Sequence, residues 1–96
     1  MAQKFAKKSG KKGTFGHDLY TLRFKKYGKH LIHDGENIQY GLRDPEEIVI
    51  DLLIDDDVPS LGHRKNLLSS DFSVIGIGFA KHTKMRTITV MAFGGK

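Results

Sequence analysis

The residues best able to do chemistry concentrate in one stretch, Asp44 to Leu68, where an acid-rich helical pattern runs into a His-Arg pair. Glu47, Asp51 and Asp55 recur every four residues, and Asp56 and Asp57 follow directly. On a helix, like charges so spaced oppose one another by about 0.2–0.5 kcal/mol per pair. The helix dipole also disfavours negative charge at the carboxyl end. A positive partner would offset both costs, and His63 and Arg64 stand a few residues further on. Arg64 is expected to pair with an acid from 55–57. The same acids also fit a solvated face and a polar turn, and a lone His63 fits a hydrogen-bonded structural ring. His30, His33 and His82 read as exposed loop histidines, because Gly28 and Gly35 oppose a helix that would align the first two. Tyr27, Tyr40 and Phe93 read as core.

The elements that position these groups can be taken from the pattern. Asp44 fits an N-cap, Pro45 the first helical position, and Glu46 and Glu47 the positive end of the dipole, so a helix over 45–56 is expected. Ile48, Val49, Ile50, Leu52, Leu53 and Ile54 cover more than one side of it and predict burial on several faces. Val58-Pro59 would stop it, and Ser60 could cap a short second helix carrying His63, Arg64, Asn66, Leu67 and Leu68. Upstream, Thr14 to Asp18 reads as a loop and Leu19 to Tyr27 as a short helix ended by Gly28, with Arg23, Lys25 and Lys26 in water. Gly35 and Gly41 suggest tight turns flanking a short extended piece. Phe72–Ala80 and Arg86–Phe93 alternate as strands of an antiparallel hairpin, with Val74, Gly76 and Gly78 on one face and Ile75, Ile77 and Phe79 on the other. The sum is an α+β fold: a small antiparallel sheet with helices packed on it.

Ninety-six residues allow one core of modest stability. The chain has no cysteine, which excludes disulfides and thiolate metal sites. No stretch is apolar enough to span a membrane, and the first residues lack the apolar segment of a signal peptide. The net charge of +5 is an N-terminal feature. Residues 1–30 carry nine Lys or Arg against Asp18 alone, whereas residues 31–96 carry seven basic and ten acidic side chains. Residues 1–13 therefore read as a basic flexible arm, with a frayed helix at Gln3–Lys8 as the alternative, and residues 14–96 as the domain. Such an arm could bind nucleic acid or an anionic surface, although no recognition module accompanies the lysines.

Three ordered pieces together resemble the CAP superfamily, the SCP domain of cysteine-rich secretory, antigen 5 and pathogenesis-related proteins, in its cysteine-free microbial branch. They are Gly35-Glu36-Asn37-Ile38, similar to the GEN motif; Gly62-His63-Arg64-Lys65-Asn66, similar to the GHR-x-N motif; and Ile75-Gly76-Ile77-Gly78, similar to the following strand. The resemblance implies an α-β-α sandwich, here incomplete at the N-terminus, where a lysine-rich arm replaces the family's first helix. It implies a cavity lined by His17, Glu36, His63 and a second acid, Asp55 or Asp51, supported by Asn37, Arg64 and Asn66. Two imidazoles and two carboxylates suit a zinc-like divalent cation, or the base and orienter of a hydrolase, for which no Ser or Cys nucleophile stands out. The dipole of the second helix would keep His63 neutral for either role. The family's habits point to a binding module for a cation or a small lipid- or sterol-like ligand, to extracellular partners, and to self-association if one sheet face is bare.

Overall fold

The structure is a computed structural model that describes residues 1–27, 31–55 and 60–95. The order of elements is α1 (Ala2–Lys12), α2 (Tyr20–Tyr27), β1 (His33–Tyr40), α3 (Pro45–Ile54), α4 (Gly62–Leu68), β2 (Val74–His82) and β3 (Arg86–Gly95). The strands form one antiparallel sheet in the order β1-β3-β2. This is the expected α+β arrangement, with β3 central and both other strands at edges.

Alternation along β3 divides the two layers. Ile88 and Val90 join Ile38 of β1 and Ala2, Phe5 and Ala6 of α1 in one core. Met91 and Phe93 point the other way, into a second core with Ile48 and Leu52 of α3. The sheet is thus covered on one face by α1 and on the other by α3, the sandwich the resemblance implied, with the N-terminal layer expected to be missing supplied by α1.

The N-terminal arm is a correction. Residues 2–12 are not a flexible tether but a helix whose buried side is Ala2, Phe5, Ala6, Ser9 and Gly10. These fall at i, i+3, i+4, i+7 and i+8, a helical stripe with the lysines outside it. Four of the five are small, which lets the backbone lie directly on β2. A Cβ added to Gly10 would collide with the Lys81 carbonyl oxygen, and one on Gly78 with backbone atoms of Ala2.

Smaller expectations also change. α3 starts as expected, with Asp44 accepting from the Glu46 amide at 2.9 Å, but it ends at Ile54. The stop assigned to Val58-Pro59, like Gly28, His30, Asp56 and Asp57, lies outside the described residues. α3 buries only Ile48 and Leu52 fully, while Val49, Ile50 and Ile54 are exposed, because it meets the sheet along one stripe. Gly35 does not turn the chain: it sits inside β1, where a Cβ would meet the Phe72 ring at 2.9 Å. Tyr27 is exposed. His82 is buried, not a surface residue. Its Nε2 donates to the Thr14 carbonyl at 2.8 Å and its Nδ1 accepts from the Lys84 and Met85 amides, tying the β2–β3 turn to the loop after α1.

Candidate functional site

Two His-carboxylate pairs stand on either side of the edge strand β1. In the first, Glu36 is fully buried at its side chain, on the same face of β1 as Ile38. The loop before α2 presents His17, whose Nδ1 lies 2.8 Å from Glu36 Oε1. One turn into α2, Arg23 closes a fork on the same carboxylate, at 2.5 Å to Oε2 and 3.0 Å to Oε1. Its Nε donates to the Asp18 carbonyl at 2.9 Å, and its guanidinium lies 3.6 Å from the centre of the Phe5 ring. Burial alone would raise the Glu36 pKa, but hydrogen bonds from Arg23 and His17 and the attraction of their charges outweigh it and hold it below the usual range. An ionised carboxylate only accepts, so His17 Nδ1 is the donor in this hydrogen bond. Beside this group, Tyr20 donates its hydroxyl to Asp34. Burial, then the Asp34 hydrogen bond and charge, raise the Tyr20 pKa.

The second pair is built where α3 meets α4. Asp55 is the residue after α3 and takes a left-handed conformation, φ 55°, which turns its side chain back toward α4. Its Oδ1 lies 2.9 Å from His63 Nδ1, and its Oδ2 accepts from the backbone amides of His63 at 3.0 Å and Arg64 at 3.2 Å. Asp55 therefore does the capping expected of Ser60; the residue preceding α4 is Leu61, whose side chain makes no cap. Burial would raise the Asp55 pKa, but the His63 hydrogen bond and the amide donors outweigh it and hold it low. Arg64 makes no ion pair with an acid among the described residues. It donates from Nε to the Leu53 carbonyl and from Nη2 to the Ile54 carbonyl at 2.9 Å, satisfying the carboxyl end of α3.

Asn37 and Asn66 join the two pairs. Asn37, with no exposed surface, donates to the His63 carbonyl at 3.0 Å. Asn66 donates to Asn37 Oδ1 at 2.9 Å and to the Glu36 carbonyl at 3.3 Å. Asp51 is peripheral, at 3.4 Å from the Gln39 amide. The structure thus brings His17 to Glu36 and Asp55 to His63, rather than all four into one ligand set. Among the described residues no three His, Asp or Glu side chains gather closely enough to hold one metal ion. Sequence reasoning missed Arg23, which it left in water. The available signal was an arginine one turn along the helix that follows His17, opposite an acid destined for burial.

A groove of about 250 Å³ runs between α1 and α2. Phe5, Leu19, Leu22 and Tyr27 form its apolar lining, and Lys4, Lys8, Lys12 and Lys26 surround it, with Asp18 the one acid among the described residues. Arg23 also lines it, but its charge is already engaged by Glu36.

A cysteine-free α-β-α sandwich with paired histidines and acids across its edge strand defines a class of small α+β domain. The family model of CAP, the cysteine-rich secretory protein family, matches residues 1–93, and the chain belongs to that family. The match takes in α1, so the family domain begins before residue 14. Among solved structures the chain is similar to an outer surface protein from Borrelia burgdorferi, with a TM-score of 0.72 and 27% identity. The likeness covers 93% of this chain and 65% of that one, so this chain spans less than two thirds of that protein's length. No curated protein matches the chain. Among the described residues no helix is long and apolar enough to cross a membrane.

Proposed function

We propose that this CAP domain is a binding module for a small amphiphile, an apolar chain ending in an anion, held in the α1–α2 groove. The observation that carries the reading is the combination of an apolar lining with, among the described residues, four lysines and a single acid around it. Leu19, Leu22 and Tyr27 are 51%, 64% and 47% exposed, unusual for large apolar side chains lying along one cleft. Covering them would contribute about 0.8 kcal/mol per buried methylene of the ligand, while the lysines would select its charged end. The groove is smaller than the ~300–1,000 Å³ of drug-sized pockets, so the ligand is small or only partly enclosed. The His-acid pairs support the walls: Arg23 lies against Phe5 and is anchored by Glu36. A divalent cation is less well served, because both Glu36 oxygens are already taken by Arg23 and His17. The family and the likeness to an outer surface protein support an extracellular setting for this binding.

Titration with dodecanoate, dodecanol and dodecyltrimethylammonium, read by calorimetry, tests the reading. The carboxylate is expected to bind best, to weaken with added salt, and to lose at least tenfold in affinity in Leu22→Asp, a substitution at an exposed position. Equal binding of all three, or dodecanoate binding indifferent to Leu22→Asp, would refute it.

A further inference from the structure

The other edge of the sheet carries an interaction surface independent of the groove. In an antiparallel strand, successive residues turn their amide and carbonyl alternately toward one neighbour and the other. Gln3 of α1 shows which residues of β2 face outward: its side-chain amide donates to the Phe79 carbonyl at 2.9 Å and accepts from the Phe79 amide at 2.7 Å. That side chain does for Phe79 what a further strand would do. Two and four residues back, Ile77 and Ile75 have the same outward orientation, and among the described residues no side chain takes Gln3's part there.

The side chains beside this open edge are apolar. Val74, Ile75 and Ile77 are 57%, 51% and 61% exposed, and nothing lies within 4 Å of where a Gly76 Cβ would be. From Phe72 to Ala80 the chain has no charged residue and no proline. These are the features by which natural edge strands block pairing with another strand, and the stretch from Phe72 to Ala80 has neither.

We infer that β2 pairs edge to edge with β2 of a second copy of this chain, antiparallel about a two-fold axis at Gly76, joining two three-stranded sheets into one of six. The occupant is identified by self-complementarity. A two-fold through Gly76 sets Ile75 of one copy opposite Ile77 of the other, so each outward amide meets an outward carbonyl and like apolar side chains lie together on one face. The uncharged strand offers no repulsion to its own copy, although the chain carries a net charge of +5. Among the described residues the lysines stand elsewhere, on α1, α2 and α4, at Lys81 beyond the pairing stretch and at Lys84 in the turn after β2. Three half-exposed apolar side chains per copy cover much less than the ~800 Å² per partner found in stable complexes. The dimer is therefore weak and forms with concentration.

Sedimentation equilibrium of the full chain from about 10 μM to about 1 mM, the range over which a weak dimer assembles, reads the association directly. The expected result is a monomer–dimer equilibrium whose dissociation constant rises at least tenfold in Ile77→Lys, with circular dichroism and thermal midpoint retained. Hydrogen exchange of the unmodified chain provides a second reading that needs no variant: the Ile75 and Ile77 amides should slow as concentration rises, while the Phe79 amide, already paired with Gln3, should not change. A chain monomeric throughout, with those amides exchanging at one rate, would overturn the inference. So would a dimer untouched by Ile77→Lys, growth beyond the dimer, or a monomer that captures an uncharged β-forming peptide of unrelated sequence at this edge.

Discussion

Replacing Arg23 by Met tests whether the carboxylate at the centre of the first pair depends on its fork. The Glu36 side chain has 0% exposure and that of Arg23 12%, so little solvent is available to take over the interaction. Methionine keeps the inner part of the side chain but removes the guanidinium over Phe5, both hydrogen bonds to Glu36 and the one to the Asp18 carbonyl. Removing one partner of a buried ion pair leaves an uncompensated charge and costs about 3–5 kcal/mol. A chain of this size is stable by about 5–15 kcal/mol, so the loss is a large share of the total. At about 4–8 °C per kcal/mol, the thermal midpoint should fall by more than about 12 °C. The effect has a pH signature. The folded Glu36 pKa is depressed, so its contribution is fully present above the unfolded carboxylate value of about 4.3 and is lost as pH falls through the folded value. In Arg23→Met the larger lowering partner is gone and only His17 opposes the effect of burial, so the Glu36 pKa rises and the gap between the two proteins should narrow on acidification from about pH 7 to about pH 4. Thermal unfolding by circular dichroism at both pH values reads this. A midpoint loss below about 4 °C, or a gap that stays constant with pH, would refute the ion-pair account.

Two further changes probe the other joints. Asn at position 55 tolerates the left-handed backbone but offers no charge to His63, so Asp55→Asn should cost about 1–2 kcal/mol in urea unfolding at neutral pH. Because the Asp55 pKa is also depressed, its contribution disappears as pH falls below the usual carboxylate range, and the wild type and variant should converge there. His82→Ala removes one donor and one shared acceptor from a buried turn, leaving the Thr14 carbonyl and two amides without that partner. A loss of about 2–4 kcal/mol is expected, with faster hydrogen exchange at Lys84 and Met85.

The sequence carried the central helix, the hairpin and the order of the motifs because each has a local cause. Asp44-Pro45 is read from capping alone, and alternation from Val74 onward gives the strand faces directly. α1 was hidden because its buried stripe is made of Ala, Ser and Gly around one Phe, while five lysines dominate its composition. Hydrophobicity undervalues such a stripe, whose use is to let a helix backbone approach a strand closely. Arg23 was assigned to solvent for a related reason: helical spacing gives direction around the axis, but not the buried acid, nineteen residues from His17, that meets it across the fold. His82 looked like an exposed loop residue and instead ends β2, buried because Phe15 and Tyr40, from two other parts of the chain, pack against its ring.

The GHR-x-N segment was read from sequence as the lining of a cavity, and its geometry first explains something simpler. Three polar residues within four positions of α4 each hold a different element: His63 the end of α3 through Asp55, Arg64 the last carbonyls of α3, and Asn66 the edge strand through Asn37 and the Glu36 carbonyl. A seven-residue helix is too short to be stable by itself and buries no side chain fully. Its place is set by these hydrogen bonds more than by apolar packing. Glu36 is joined to the same network through its main chain and, on the opposite side of β1, holds Arg23 against the α1–α2 groove. The GEN and GHR-x-N residues therefore need not touch a ligand to matter for binding one, because they fix the strand that anchors a wall of the groove.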